Sequence, residues 1–173
     1  MKRYLILAAS AAAFSGCAFL PPVPIAVAQL NPTQGSNASG TATFVERSGK
    51  LIVDGRFKGL TPGQHGIHIH EKGDCSAPDA MSAGGHYNPT GEPHGGPDSA
   101  KRHGGDFGNL TADANGDATL SATLDTTRIG IGKLAPNTIA GKALVIHADP
   151  DDLSSQPAGN SGKRVACGVI TLQ

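Results

Sequence analysis

The chain has no tryptophan, and aromatic residues make up only 4% of its 173 positions. A core built on large stacked rings is therefore excluded, and burial must come from small and branched aliphatic side chains. Charge is equally sparse. Lys and Arg number 14, Asp and Glu also 14, so the formal net charge is zero. That balance argues against nucleic acid and against a bulk anionic partner. Loss of Lys2 and Arg3 with a leader would leave the mature chain slightly acidic. No segment carries a convincing helical period. What the chain has in quantity is glycine, 24 residues, and proline, 12 residues. Together these predict short strands joined by long, turn-rich loops, in one domain large enough to bury a core.

The first 16 residues read as an export signal: Lys2 and Arg3 open it, and the apolar stretch Tyr4 to Ala13 is too short to span a bilayer. Two endings compete. Phe14-Ser15-Gly16-Cys17 resembles a bacterial lipoprotein signal, in which Cys17 is lipidated and becomes the new first residue. The alternative is cleavage after Ala26-Val27-Ala28, which would cut into the first expected strand. Of the three cysteines, Cys17, Cys75 and Cys167, a lipidated Cys17 would leave an even count in an oxidising compartment. Residues 17–25 then form a Pro-rich tether, and 26–173 the domain.

Strands are expected at Ala26–Leu30, Gly40–Glu46, Leu51–Phe57, Gln64–His70, Asp106–Asp113, Ala118–Leu124, Ala143–Ala148 and Arg164–Leu172. Asn115-Gly116 predicts a hairpin in which the sixth strand pairs back on the fifth. Glu71–Gly105 and Asp149–Lys163 are long loops. The fold class is all-β, an eight-stranded barrel or sandwich with Greek-key connections and two long functional loops.

Seven histidines supply the candidate chemistry. In the strand Gln64–His70, His68 and His70 share one face, whereas Ile67, Ile69 and, by parity, His65 take the other. His147 closes an otherwise apolar strand and can join the first pair. A set of nitrogen ligands suits Cu²⁺. The Gly-rich loop adds His86, His94 and His103, and Asp106 follows it; three histidines with one aspartate fit a closed, structural Zn²⁺ site. Six histidines and one aspartate fill two four-ligand sites only if one imidazole serves both.

The runs HGIHIHEKGDC, GGHYNP, HGGP, RHGGDFGNL, ALVIHADPDDL and GKRVACGVI, in this order and spacing, resemble a copper/zinc superoxide dismutase of the exported bacterial kind from about Ala26 to the end. The resemblance implies a Greek-key β-barrel. It implies copper on His68, His70, His86 and His147, and zinc on His86, His94, His103 and Asp106, with His86 bridging. Asp151 would hydrogen-bond His68 and His94, Cys75 and Cys167 would form a disulfide, and His65 would be structural. Arg164 would attract the anionic substrate beside the copper. The implied reaction is dismutation of superoxide to O₂ and hydrogen peroxide in antioxidant defence outside the cytoplasm. On copper reduction His86 would leave copper, take up a proton and later return it.

Superoxide is thus the expected substrate, the periplasm the expected location, and lipid on Cys17 the expected membrane attachment, with a homodimer one option for assembly. The loop Asp149–Lys163 departs from the family in being shorter than in many animal members, and it lacks their charged residues ahead of Lys163. Substrate steering would then lean on Lys72, Lys101 or Lys163. The rival function, a non-catalytic metal buffer, would be expected to lack a copper ligand or the arginine; all are present.

Overall fold

The computed structural model describes residues 23 and 25–173. The export signal, Cys17 and most of the tether lie outside the described residues. The strands are β1 (Ile25–Pro32), β2 (Ser39–Arg47), β3 (Lys50–Lys58), β4 (Gly63–His70), β5 (Asp106–Ala112), β6 (Ala118–Asp125), β7 (Ala143–His147) and β8 (Arg164–Leu172). Boundaries fall within a few residues of the sequence expectation. Ile25, expected in the tether, instead opens β1, and its carbonyl accepts a hydrogen bond from the Gln173 N–H at 3.0 Å.

The strands run in the order β5-β4-β7-β8-β1-β2-β3-β6, with every pair antiparallel. β6 returns to lie beside β3, and β7 returns beside β4, the Greek-key pattern in which a fourth strand comes back to the first. The sheet curls so that its end strands β5 and β6 approach each other, giving a nearly closed barrel.

The expected β5–β6 hairpin needs correction. Its turn is present, with Gly116 in a left-handed conformation (φ 83°) and the Asp113 N–H donating to the Asp117 carbonyl at 2.9 Å. Beyond it the strands part: β5 is hydrogen-bonded to β4 and β6 to β3. The register of β5 on β4 shifts between Gly66 and His68, and such a bulge bends a strand and re-aims its side chains. β5 is thereby led toward the histidine loop. Leu110, Ala112, Ala118 and Leu120, all buried, fill the seam.

Inside the barrel, alternate residues make the core: Ala26, Ala28 and Leu30 from β1, Phe44 from β2, Ile67 and Ile69 from β4, and Leu144 and Ile146 from β7. Ile67 faces Ile146, and Ile69 faces Leu144. By the same alternation Val145, His68 and His70 stand on the outer face. That face is not left to water. The loop 71–105 folds back over it, burying Ala80, Ala83, Ala143, Val145 and Cys167 as a second apolar cluster. The Cys75–Cys167 disulfide, with Cα atoms 5.8 Å apart, ties the loop to β8. One 3₁₀ turn, Met81–Ala83, is the helical element among the described residues; it is too short to leave a periodic signal.

Candidate metal centre

Strand alternation does most of the placing. His68 and His70 project from β4, and His147 from the end of β7, all buried. The loop then lays His86 against them. The Tyr87 N–H donates to the Ile69 carbonyl at 2.7 Å and the Glu71 N–H to the Gly85 carbonyl at 2.9 Å, so residues 85–87 run beside β4 like an added strand. One ligand-type atom from each of His68, His70, His86 and His147 falls within 4.8 Å of the others. His86, His94, His103 and Asp106 form a second such group, and His86 belongs to both. His65 stands apart, its ring held between the carbonyls of Thr61 and His147 at 2.8 Å each.

The hydrogen bonds decide which ring nitrogens carry lone pairs. His70 Nδ1 faces the Gly84 carbonyl at 2.9 Å and His147 Nδ1 the Gly162 carbonyl at 3.3 Å. A carbonyl only accepts, so both Nδ1 atoms are protonated and both Nε2 atoms bear lone pairs. Those Nε2 atoms lie 3.2 Å apart, an arrangement that repels unless a cation sits between them. Asp151 works the same way on two further rings. Its Oδ2 accepts from His68 Nε2 at 2.7 Å and its Oδ1 from His94 Nε2 at 2.9 Å. The opposite nitrogens, His68 Nδ1 and His94 Nδ1, are buried without hydrogen-bond partners, as are His86 Nε2 and His103 Nδ1. His94 Nδ1 is only 2.9 Å from Asp106 Oδ2 without meeting the geometry of a hydrogen bond. Buried polar atoms are rarely left unpaired. Four here, all aimed into the two groups, fit metal ions.

Electrostatics separate the groups. Burial pushes His68 down to about 4, His147 to about 3 and His70 to about 2, so these imidazoles are neutral at neutral pH, the form that ligates. Burial also pulls on His94, but contacts with Asp106 and Asp151 outweigh it and raise that ring to about 9 without metal. Burial alone would raise the two carboxylates. A hydrogen bond from His86 and the close approach of the His94 ring to Asp106, and hydrogen bonds from His68 and His94 to Asp151, instead hold both well below the usual carboxylate range. Backbone N–H groups of His103 and Gly95 add to the hold on Asp106 Oδ2, at 3.1 and 3.3 Å.

The first group opens on a cavity of about 630 Å³ lined by His70, His86, His147, Lys163 and Arg164. Arg164 is braced there, Nη1 donating to the Ala80 carbonyl and Nη2 to the Gly84 carbonyl, each at 2.6 Å. Of the three lysines considered for steering, Lys163 lines this cavity; Lys72 and Lys101 do not.

Residues 38–170 match the family model described as copper/zinc superoxide dismutase. The chain belongs to the copper/zinc superoxide dismutase family. It is similar to Superoxide dismutase (Cu-Zn) 2 of Brassica juncea, 45% identical over 154 residues that cover 85% of this chain and 97% of that one. It is also similar to the solved structure of the clock protein EA4, with a TM-score of 0.77, 38% identity, and coverage of 89% of this chain and 98% of the other. This superoxide dismutase is accordingly an enzyme that uses copper and zinc.

Two features of the site had no clear sequence signal. Asn109 exchanges two hydrogen bonds with the Asp151 backbone, its Nδ2 donating to the carbonyl at 2.9 Å and its Oδ1 accepting from the N–H at 2.7 Å. Gln156 makes a comparable double contact with the backbone of His94. In sequence both look like ordinary loop or strand-edge amides.

Proposed function

We propose that copper is held by His68, His70, His86 and His147, and zinc by His86, His94, His103 and Asp106, with His86 bridging them. The observation that carries this reading is the pair of four-ligand groups sharing His86, with partnerless buried nitrogens aimed into each. Two superoxide anions and two protons become O₂ and hydrogen peroxide, and bound copper supplies the one-electron couple. Arg164, fixed by two carbonyls at the cavity wall, draws in and orients the small anion. His86 holds and returns a proton at Nε2. Asp151 fixes the tautomers of His68 and His94, as outer carboxylates do for ligating imidazoles. Metal analysis with a superoxide assay tests the reading: one copper and one zinc per chain with rapid turnover is expected, and a chain that binds both metals but does not turn over superoxide would make it a metal buffer.

The exported bacterial form belongs to the same proposal: cleavage before Cys17, lipid on Cys17, and residence in the periplasm at a membrane. Support comes from β1, where Ala26 and Ala28 are fully buried between β2 and β8. Cleavage after Ala28 would remove core residues. Mass analysis of the processed chain in a bacterial host decides between the two endings; an unlipidated, soluble product overturns the anchor. Light scattering on the purified protein tests the homodimer.

A further inference from the structure

The geometry points to Gln156 as a positioning residue for the zinc site, a clip through which the short loop Asp149–Lys163 sets the placement of His94. The inference rests on the proposed zinc ligands. The Gln156 side-chain amide brackets the His94 backbone: Oε1 accepts from the His94 N–H at 2.8 Å, and Nε2 donates to the His94 carbonyl at 2.9 Å. Nε2 also donates to the Ser154 carbonyl at 3.0 Å. One acceptor thus meets one N–H, and two donors meet two carbonyls. The reverse orientation would set the oxygen against both carbonyls, so the partners fix which end is which.

The same loop grips His94 a second time, through Asp151 Oδ1 on Nε2 at 2.9 Å. Gly159, in a left-handed conformation (φ 66°), lies against this contact, where a Cβ would collide with both Asp151 and His94. His94 is therefore held at its ring by Asp151 and at its backbone by Gln156. These holds matter because His94 rides on a loop with no strand beneath it, between Pro93 and Gly95, whereas His68, His70 and His147 inherit their positions from β4 and β7. A ligand without a scaffold needs outer contacts to fix its direction, and loss of such contacts weakens metal binding.

The test uses Gln156→Met, which keeps volume and removes all three hydrogen bonds, beside Gln156→Ala, which also removes the packing. The readouts are the rate at which a chelator strips zinc from the copper- and zinc-loaded protein, and the visible spectrum of Co²⁺ placed in the zinc site. Both variants should release zinc about fivefold faster, within the range for losing neutral hydrogen bonds partly open to water, and both should shift the cobalt bands. The copper electron paramagnetic spectrum should stay close to wild type. Wild-type release from Gln156→Met, with or without faster release from Gln156→Ala, would reduce Gln156 to packing or less and overturn the inference. If wild-type protein fails to hold Co²⁺ on His94, the zinc assignment itself falls and the clip with it.

Discussion

The two metal groups are built by opposite means. The first stands on strands: His68 and His70 on β4 and His147 on β7 are placed by the alternation that also buries Ile67, Ile69 and Ile146. The second stands on a loop: His94 and His103 reach their positions through side-chain and backbone contacts, and only Asp106 begins a strand. In the first, the strand-borne rings His68, His70 and His147 are neutral through burial, and His70 and His147 line the open cavity, which His103 of the second also reaches; the second is charged, with Asp106 at its centre. Chemistry that needs an accessible metal in invariant geometry is served by the barrel wall. A metal that itself organises a loop is served by ligands that the loop brings in.

His147→Ala attacks the strand-built group and should have the largest effect. Loss of a ligand from a rigid site should abolish turnover, while the loop-built group keeps its zinc. Metal content and superoxide assays on the same sample check this, and full copper occupancy with substantial activity would contradict it. Arg164→Glu comes next. Reversing the charge at the cavity wall should lower the second-order rate by about tenfold or more and invert its dependence on salt, with both metals retained. Arg164→Lys should lose less, since charge survives without the planar fork. Pulse radiolysis over a salt series on metal-verified protein reads both.

Asp106→Ala attacks the loop-built group. It should cost most of the zinc and open residues 71–105 to protease, with a smaller loss of turnover because the ligands on β4 and β7 stay in place. Zinc content near normal and unchanged protease resistance would erase the contrast between the groups.

The smallest effect is on the metal-free protein. His68 and His147 titrate below their ordinary value of 6.5, at about 4 and about 3, so the unfolded chain binds more protons between those values and 6.5. Their contribution to stability is present above pH 6.5 and is lost as pH falls toward 3. His94, raised to about 9, does the reverse: its contribution is full below pH 6.5 and fades as pH rises through 9. Denaturant unfolding across pH should show both arms, with His94→Ala removing the alkaline one.

The parts legible in the sequence are those governed by strict period. Alternation in GIHIH set His68 and His70 on one face and His65 on the other, and short β-branched runs bounded by Gly and Asn located the strands. The hairpin at Asn115-Gly116 misled because a turn signal is local, whereas the parting of β5 and β6 depends on a bulge against β4 and on closure of the whole barrel. Gln156 and Asn109 were invisible for a related reason. Their partners are backbone groups 62 and 42 residues away, and no side-chain pattern marks a backbone partner. Resemblance supplied the identity of the shared ligand, His86, which spacing alone left open.

The central claim is that one imidazole, His86, serves both metals. The most direct measurement is the electron paramagnetic resonance of protein carrying Cu²⁺ in the strand-built group and Co²⁺ in the loop-built one. A shared imidazolate couples the two spins, so the ordinary Cu²⁺ signal should disappear at full double occupancy and return when cobalt is removed. An unchanged Cu²⁺ signal with both metals verified in place would show that His86 does not bridge them.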